Sequence, residues 1–111
     1  MSCTFDCPET VSVEDNLTAT HFYLIAQEAV HNTVRHAQAR QVRITLKKAD
    51  GGLILSVQDD GIGMPTSPTE QPGLGLRTMR NRATIIGATL TIEPAQPTGT
   101  FVKCVLAKKV L

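Results

Sequence analysis

Residues 53–63 read LILSVQDDGIG, and this stretch decides the fold. Its apolar residues alternate along the chain, which is the two-residue period of a half-buried strand. Asp59 has the same parity as these residues, so its carboxylate points toward the face that they bury, at the point where the strand ends. Gly61 and Gly63 follow, and residues without a Cβ let the backbone turn sharply and approach a flat ring closely. Such a carboxylate is able to accept a hydrogen bond from an exocyclic amine, although Asp-Gly is also common in ordinary turns.

The elements around this strand predict a two-layer α/β sandwich. Residues 41–48 also alternate, and a turn at 49–52 joins the two runs as a hairpin. In the first predicted helix, mostly apolar side chains recur along one face with a period of 3.6 residues, and a second helix ends at Gly87. We therefore expect helices on one face of a mostly antiparallel sheet. The predicted strands are 4–7, 11–13, 41–48, 53–59, 88–93 and 101–106, and the predicted helices are 18–37 and 75–86.

Polar residues line one edge of the first predicted helix. Glu28, Asn32 and His36 are spaced four apart, and Arg35 is adjacent. At about 100° per residue they form a row roughly 90° from the centre of the apolar stripe. Carboxylate and amide oxygens suit a hydrated Mg²⁺, which keeps several waters and needs only one or two side-chain oxygens. The alternative is a solvated helix edge with incidental pairs.

Glycines also precede the second helix and the last strand. Residues 73–76 read GLGL and open the helix, where free backbone N–H groups can bind phosphate oxygens. Gly99 and Thr100 begin the strand, and a hydroxyl at that place is suited to hold a water beside a bound ring. Each pattern is weak by itself, since a flexible helix entry needs no phosphate.

Composition narrows the class of protein. The chain has 111 residues, 41% hydrophobic and 19% charged, which suits a single soluble domain over 1–111. The formal net charge of +1 points to neither nucleic acid nor a membrane surface as a partner. The odd number of cysteines, three, argues against a disulfide framework. We find no signal peptide and no apolar run near the ~18 residues of a membrane span, so we expect a cytoplasmic domain.

The order of these patterns resembles one superfamily. They read E-x-x-x-N, D-x-G-x-G, G-x-G-L and G-T along the chain. They are similar to the N box, the two Gly boxes and the terminal Gly-Thr of the GHKL ATPases, which include gyrase, Hsp90, MutL and the histidine kinases. The resemblance covers about residues 11–106. It implies a Bergerat-type ATP-binding fold with helices on one face of a mixed, mostly antiparallel sheet.

Finer detail resembles one branch of that superfamily. The N box, and residues 73–83 with Gly87, look like those of the nitrate-sensor-like histidine kinases, whose lid over the nucleotide is short. The chain departs from that branch at Leu74, Asn81 and Thr98, where His, Glu and Gly are common.

The resemblance implies a role for each matching residue. Asn32 would hold Mg²⁺, and Glu28 would orient a metal-bound water or assist proton removal. Asp59 would accept from N6 of adenine, and Thr100 would support a water beside the ring. ATP and Mg²⁺ are therefore the expected ligands. The further residues expected to contact ATP are Arg35, His36, Gly61, Gly63, Gly73, Leu74, Gly75 and Leu76.

The resemblance also implies a reaction and its partners. In such kinases this domain presents the γ-phosphate of ATP to a histidine on a separate dimerisation domain, and the phosphoryl group then passes to an aspartate of a response regulator. We expect the dimerisation domain to lie outside residues 1–111, so the chain alone would be a monomer with negligible autophosphorylation. His21 and His31 are expected to face solvent and not to accept phosphate. A parent protein anchored in the inner membrane is compatible with this expectation.

Two alternatives use the same fold. An anti-sigma-factor serine kinase would need a partner protein with an acceptor serine, and residues 77–83 fit it less well. A non-catalytic nucleotide-sensing module would keep Asp59 but would not need Glu28. A small α/β domain with chance glycines would bind no ATP. A Rossmann dinucleotide domain is disfavoured because Pro65, rather than a helix with a third glycine, follows Gly63.

Overall fold

A computed structural model describes residues 2–7, 16–34, 39–49, 51–62, 74–96 and 98–107. Within these ranges it contains five strands and two helices. The strands are β1 (Ser2–Asp6), β2 (Gln41–Ala49), β3 (Gly52–Asp59), β4 (Thr89–Pro94) and β5 (Thr100–Leu106), and the helices are α1 (Asn16–Asn32) and α2 (Leu74–Ile85).

The five strands form one mixed sheet in the order β1-β2-β3-β5-β4. β1 is parallel to β2, and the other neighbouring pairs are antiparallel. β2 and β3 form the predicted hairpin, in which Val42 pairs with Asp59 and Ala49 pairs with Gly52. Gly51 turns the chain between them with a φ of 81°, a value that favours glycine. The predicted mostly antiparallel sheet is confirmed, and β3 lies at its centre.

The core lies between the two helices and one face of the sheet. α1 packs against α2 and β3, and α2 also packs against β4. The apolar residues of the stripe predicted on the first helix and the alternating apolar residues of β2 and β3 all join this cluster. The most completely buried of its large side chains are Ile25, Val42, Met79 and Cys104.

A hydrogen-bonded glycine cap ends α2. The N–H of Ala88 donates to the carbonyl of Ala83 at 2.8 Å, and the N–H of Gly87 donates to that of Thr84 at 3.0 Å. This pair of bonds is a Schellman motif, which places the residue after the helix in a left-handed conformation. Gly87 has a φ of 74°, so the predicted stop is confirmed.

The other element boundaries agree with the predictions to within two residues. α1 continues after Asn32 as a wider π-helical turn at Thr33 and Val34. The predicted end of this helix near 37 and the predicted strand at 11–13 lie outside the described residues. Within the described part of the chain, neither helix has the length and apolar character that crossing a membrane requires.

The prediction for His21 is wrong, because its side chain is buried rather than solvent-facing, with 9% of its surface exposed. His21 lies four residues before Ile25, so the two side chains project about 40° apart on the same side of the helix. That side faces the core, because Ile25 has no exposed surface. His31 is exposed, as predicted.

Candidate functional site

The carboxylate of Asp59 lies at the end of the central strand and is 7% exposed. Two backbone N–H groups donate to its Oδ1, that of Gly61 at 2.9 Å and that of Thr100 at 3.2 Å. The first comes from the turn after β3, and the second comes from the start of β5. The structure therefore confirms that Asp59 points to the buried face, and it brings the first Gly box together with the terminal Gly-Thr.

The second oxygen of this carboxylate has a partner that the sequence analysis missed. The hydroxyl Oγ1 of Thr33 lies 3.0 Å from Oδ2 of Asp59 and 3.1 Å from the carbonyl oxygen of Ala29. Thr33 is 4% exposed and lies at i+11 from Phe22, on the mostly apolar stripe of the first helix. Its polarity was the available sign, because a hydroxyl that is buried in a core needs a partner.

The acceptor positions of the Asp59 carboxylate limit how many hydrogen-bond donors it can bind. An ionised carboxylate accepts about four hydrogen bonds, about two at each oxygen. Both positions of Oδ1 are taken by backbone donors, and one position of Oδ2 is taken by Thr33. Among the donors of the described residues, none takes the second position of Oδ2, so Asp59 is able to accept one more N–H there.

Gly99 allows β5 to pass against the end of β3. Its φ is 108°, and a Cβ added to it would lie 2.0 Å from the carbonyl oxygen and 3.0 Å from Oδ1 of Asp59. A side chain at this position would therefore overlap the residue whose carboxylate forms the site. The Gly99-Thr100 pair was recognised in the sequence, but the close approach of Gly99 to the Asp59 backbone was not predicted.

Asp60, in the turn after β3, is hydrogen-bonded to the start of β2. Its Oδ1 accepts the N–H groups of Arg40 and Gln41, each at 2.9 Å. The hydrogen bond from Gln41, together with that from Arg40 and the nearby Arg40 charge, lowers the pKa of this exposed carboxyl below its ordinary value. The carbonyl of Asp60 accepts the Thr98 hydroxyl at 3.3 Å. Thr98 replaces a glycine that is common in the resembled family, and this bond gives it a place in the site.

Glu28 and Asn32 are both half-buried and lie one turn apart on α1. Thr33 follows Asn32 directly, and its bond to Asp59 holds this end of the helix against the end of β3. The structure thus places Asn32, the residue before Thr33, at the end of α1 that meets the end of β3. One acid and one amide fit Mg²⁺, because that ion binds through one or two carboxylates and completes its shell with phosphate oxygens and water.

The second Gly box lies at the start of α2. The helix begins at Leu74, one residue before the predicted start, and its first turn contains no acidic side chain that would repel an anion. Gly75 lies in that turn, and Leu76 packs against the core. Four of the predicted site residues lie outside the described ranges: Arg35, His36, Gly63 and Gly73.

Comparison with known proteins agrees with this geometry. The chain matches the family described as histidine kinase-, DNA gyrase B- and HSP90-like ATPase over residues 18–110. It is 37% identical over 83 residues to the sensor protein VraS of Staphylococcus aureus, and 36% identical over 83 residues to that of Staphylococcus epidermidis. Both alignments cover 75% of this chain and 24% of the relative, so the chain spans about a quarter of the relatives' length.

Solved structures show the same architecture. The blue-light activated histidine kinase of Erythrobacter litoralis EL346 matches with a TM-score of 0.81 at 28% identity, over 95% of this chain and 37% of that one. The ATP-binding domain of PrrB from Mycobacterium tuberculosis shares the fold with a TM-score of 0.69 at 22% identity, over 82% of this chain and 69% of that one. The predicted two-layer fold is thereby confirmed.

Proposed function

This chain belongs to the histidine kinase-, DNA gyrase B- and HSP90-like ATPase family, and we propose that it is the ATP-binding catalytic domain of a two-component sensor histidine kinase. Residues 1–111 form one domain in this proposal. The domain binds Mg²⁺-ATP and presents the γ-phosphate to a histidine on a separate dimerisation domain. The phosphoryl group passes from there to an aspartate of a response regulator.

The observation that carries the proposal is the environment of Asp59. Three donors of the described residues bind the carboxylate, and they leave one acceptor position on Oδ2. Because this position accepts a hydrogen bond, a ring that binds beside it must present a donor. The exocyclic amine of adenine is such a donor, whereas the O6 carbonyl of guanine would meet the carboxylate as a second acceptor.

The phosphates extend from this pocket toward Asn32 and the start of α2 in the proposal. Asn32 would hold Mg²⁺, and Glu28 would orient a water bound to the ion or assist removal of a proton. When bound, the ion neutralises charge that develops on the phosphate oxygens. The backbone N–H groups at the start of α2 bind the same phosphates. In the transfer itself the bond from γ-phosphorus to the bridging oxygen breaks, a phosphorus–nitrogen bond forms to the histidine, and ADP leaves.

The acceptor histidine is supplied by another domain in this proposal. His21 is buried in the core of the nucleotide-binding layer, so its ring is not accessible to the γ-phosphate. His31 lies on the same helix as Glu28 and Asn32, and a rigid helix does not bring its outer face to its own site. We therefore expect negligible incorporation of labelled γ-phosphate into the chain alone. Labelling of His21 or His31, located by mass spectrometry, would contradict this expectation.

Calorimetric titration of ATP with Mg²⁺ tests nucleotide binding directly. We expect an affinity between micromolar and millimolar for the wild-type chain, roughly −8 to −4 kcal/mol. Asp59→Asn keeps the shape of the side chain but turns Oδ2 into an NH₂ donor, so it should lose ATP affinity at least about tenfold, the equivalent of about 1.4 kcal/mol. Glu93→Gln is the matched control, because it removes an exposed carboxylate on β4 and should leave affinity unchanged.

Inosine triphosphate sharpens the same experiment, because a carbonyl oxygen replaces the adenine amine. Asp59→Asn should bind inosine triphosphate better than the wild-type chain does, since its amide donates to that oxygen. If the wild-type chain binds neither nucleotide, the proposal of an ATP site is wrong. If Asp59→Asn binds ATP as tightly as the wild-type chain, ATP is held without the Asp59 contact.

A further inference from the structure

We propose that Thr33 is a positioning residue for base recognition, because its hydroxyl fixes the orientation in which the Asp59 carboxylate meets the amine of the base. This inference rests on the proposed ATP-binding function and goes beyond it. It assigns a specificity role to a residue on α1 that contacts neither the phosphates nor Mg²⁺ in the proposed function.

In the described part of the chain, three hydrogen-bond donors contact the Asp59 carboxylate. The N–H groups of Gly61 and Thr100 converge on the same oxygen, Oδ1. These two bonds restrict the torsion angles of the Asp59 side chain, but neither contacts Oδ2. The Thr33 hydroxyl lies 3.0 Å from Oδ2, the oxygen that has the remaining acceptor position. Of these three donors, Thr33 is therefore the one that occupies one lone pair of Oδ2 and directs the base to the other.

The Thr33 hydroxyl has a single proton to donate. Oγ1 is within hydrogen-bond distance of two acceptors, Oδ2 of Asp59 and the carbonyl oxygen of Ala29. A threonine hydroxyl donates one hydrogen, so it bonds to one of the two at a time. The carboxylate is favoured because hydrogen bonds to charged acceptors are stronger.

The hydrogen bond between Thr33 and Asp59 is buried. Thr33 and Asp59 are 4% and 7% exposed, so bulk water does not readily replace a lost partner at Oδ2. Without the hydroxyl, the carboxylate gains access to orientations in which Oδ2 does not accept from the base. ATP then binds only the fraction of molecules in which the Asp59 carboxylate has the accepting orientation, so its apparent affinity is weaker. The loss applies only to ligands that use the amine contact.

The test compares two nucleotides that differ in that amine. ATP and purine riboside triphosphate have the same phosphates and ring system, but the second lacks the 6-amino group. Calorimetric titration of both into Thr33→Val, which replaces the hydroxyl with a methyl group of similar size, isolates the effect on the amine contact. We expect Thr33→Val to lose ATP affinity about five- to tenfold, while affinity for the analogue changes less than about twofold.

Two control variants accompany the measurement. Thr33→Ser keeps the hydroxyl and should retain most of the preference for ATP over the analogue. Thr84→Val removes another threonine hydroxyl that donates to the carbonyl four residues earlier, at 2.9 Å from Arg80, but has no carboxylate partner. It should leave both affinities unchanged. If Thr33→Val does not fold, Thr33→Ala gives the same comparison.

The outcomes separate this inference from the proposed function. Equal losses for ATP and for the analogue would mean that Thr33 supports only the packing of the site, and the inference would be overturned. Unchanged or higher affinity of Thr33→Val for ATP would overturn it as well. If the wild-type chain binds neither nucleotide, the proposed ATP site itself is refuted and the inference with it. A loss confined to ATP, restored in Thr33→Ser, is the supporting result.

Discussion

A methyl group added at Gly99 is expected to disrupt both the fold and the nucleotide site. The new Cβ in Gly99→Ala would lie 2.0 Å from the carbonyl oxygen of Asp59, whereas ordinary contacts of a Cβ begin near 3.4 Å. The obstacle is backbone, so it does not move aside like the end of a flexible side chain. The ends of β3 and β5 must therefore separate by more than an ångström, and the bond from Thr100 N–H to Asp59 is lost with them.

The magnitude follows from three contributions. Overpacking of a fitted site costs about 1–3 kcal/mol. A non-glycine residue at positive φ costs about 1–2 kcal/mol, and the lost hydrogen bond costs about 1 kcal/mol. We expect Gly99→Ala to lower the free energy of unfolding by about 3–6 kcal/mol, a large share of the roughly 5–15 kcal/mol typical of a domain. ATP affinity should fall at least about tenfold, because Asp59 is displaced.

Gly87→Ala is the matched control. Gly87 also has a positive φ, 74°, but an added Cβ there would meet nothing within 4 Å. It should cost only the conformational term, about 1–2 kcal/mol, and leave ATP affinity unchanged. Urea unfolding and calorimetry on the two variants measure both effects. Equal destabilisation by the two substitutions, or Gly99→Ala with wild-type affinity, would refute the argument from close approach.

Three further predictions follow from single side chains. The folded pKa of Asp60 lies below its ordinary 3.8, so its bonds stabilise the fold above that pH and are lost as the pH falls through the folded pKa. The urea midpoints of wild type and Asp60→Asn should therefore differ at pH 7 and converge below pH 3.8, and a constant difference would contradict this. Burial raises the pKa of the Cys104 thiol to about 11, so iodoacetamide near neutral pH should alkylate exposed Cys3 but not Cys104 until the chain is unfolded. Mass spectrometry checks this, and native labelling of both at one rate would contradict it. Asn32→Ala should make ATP affinity equal with and without Mg²⁺ in calorimetry, and a retained dependence would place the ion elsewhere.

Periodic patterns allowed most of the fold to be predicted from the sequence. The parity of residues in β3 predicted that Asp59 would be buried, because alternation in a strand is a strict geometric rule. The apolar stripe of α1 and the stop at Gly87 were predicted for similar reasons, since they depend on neighbours within one or two helical turns. Local rules of this kind were sufficient to assign the carboxylate at the centre of the candidate site.

The contacts that surround this carboxylate were less accessible to prediction. Thr33 is 26 positions before Asp59, and no periodicity indicates that its hydroxyl meets Oδ2. The overlap that excludes a side chain at Gly99 arises where two strands pass each other, which is a three-dimensional relation. His21 is a different case: its spacing from Ile25 predicts burial, but its position at the start of the helix was given more weight than that spacing.

The origin of the Asp59 hydrogen bonds has a consequence for how the protein is made. The donor Thr100 lies 41 positions after the carboxylate that it holds, at the start of a strand that enters the sheet between β3 and β4. A ribosome adds about 5–20 residues per second, so a nascent chain has its hairpin and first helix for seconds before this donor exists. The Asp59 carboxylate therefore gains all three of these hydrogen-bond donors only when β5 has been synthesised and has paired with β3. The proposed nucleotide site is thus completed after Thr100 has been made, and a chain that is cut before Thr100 would lack it.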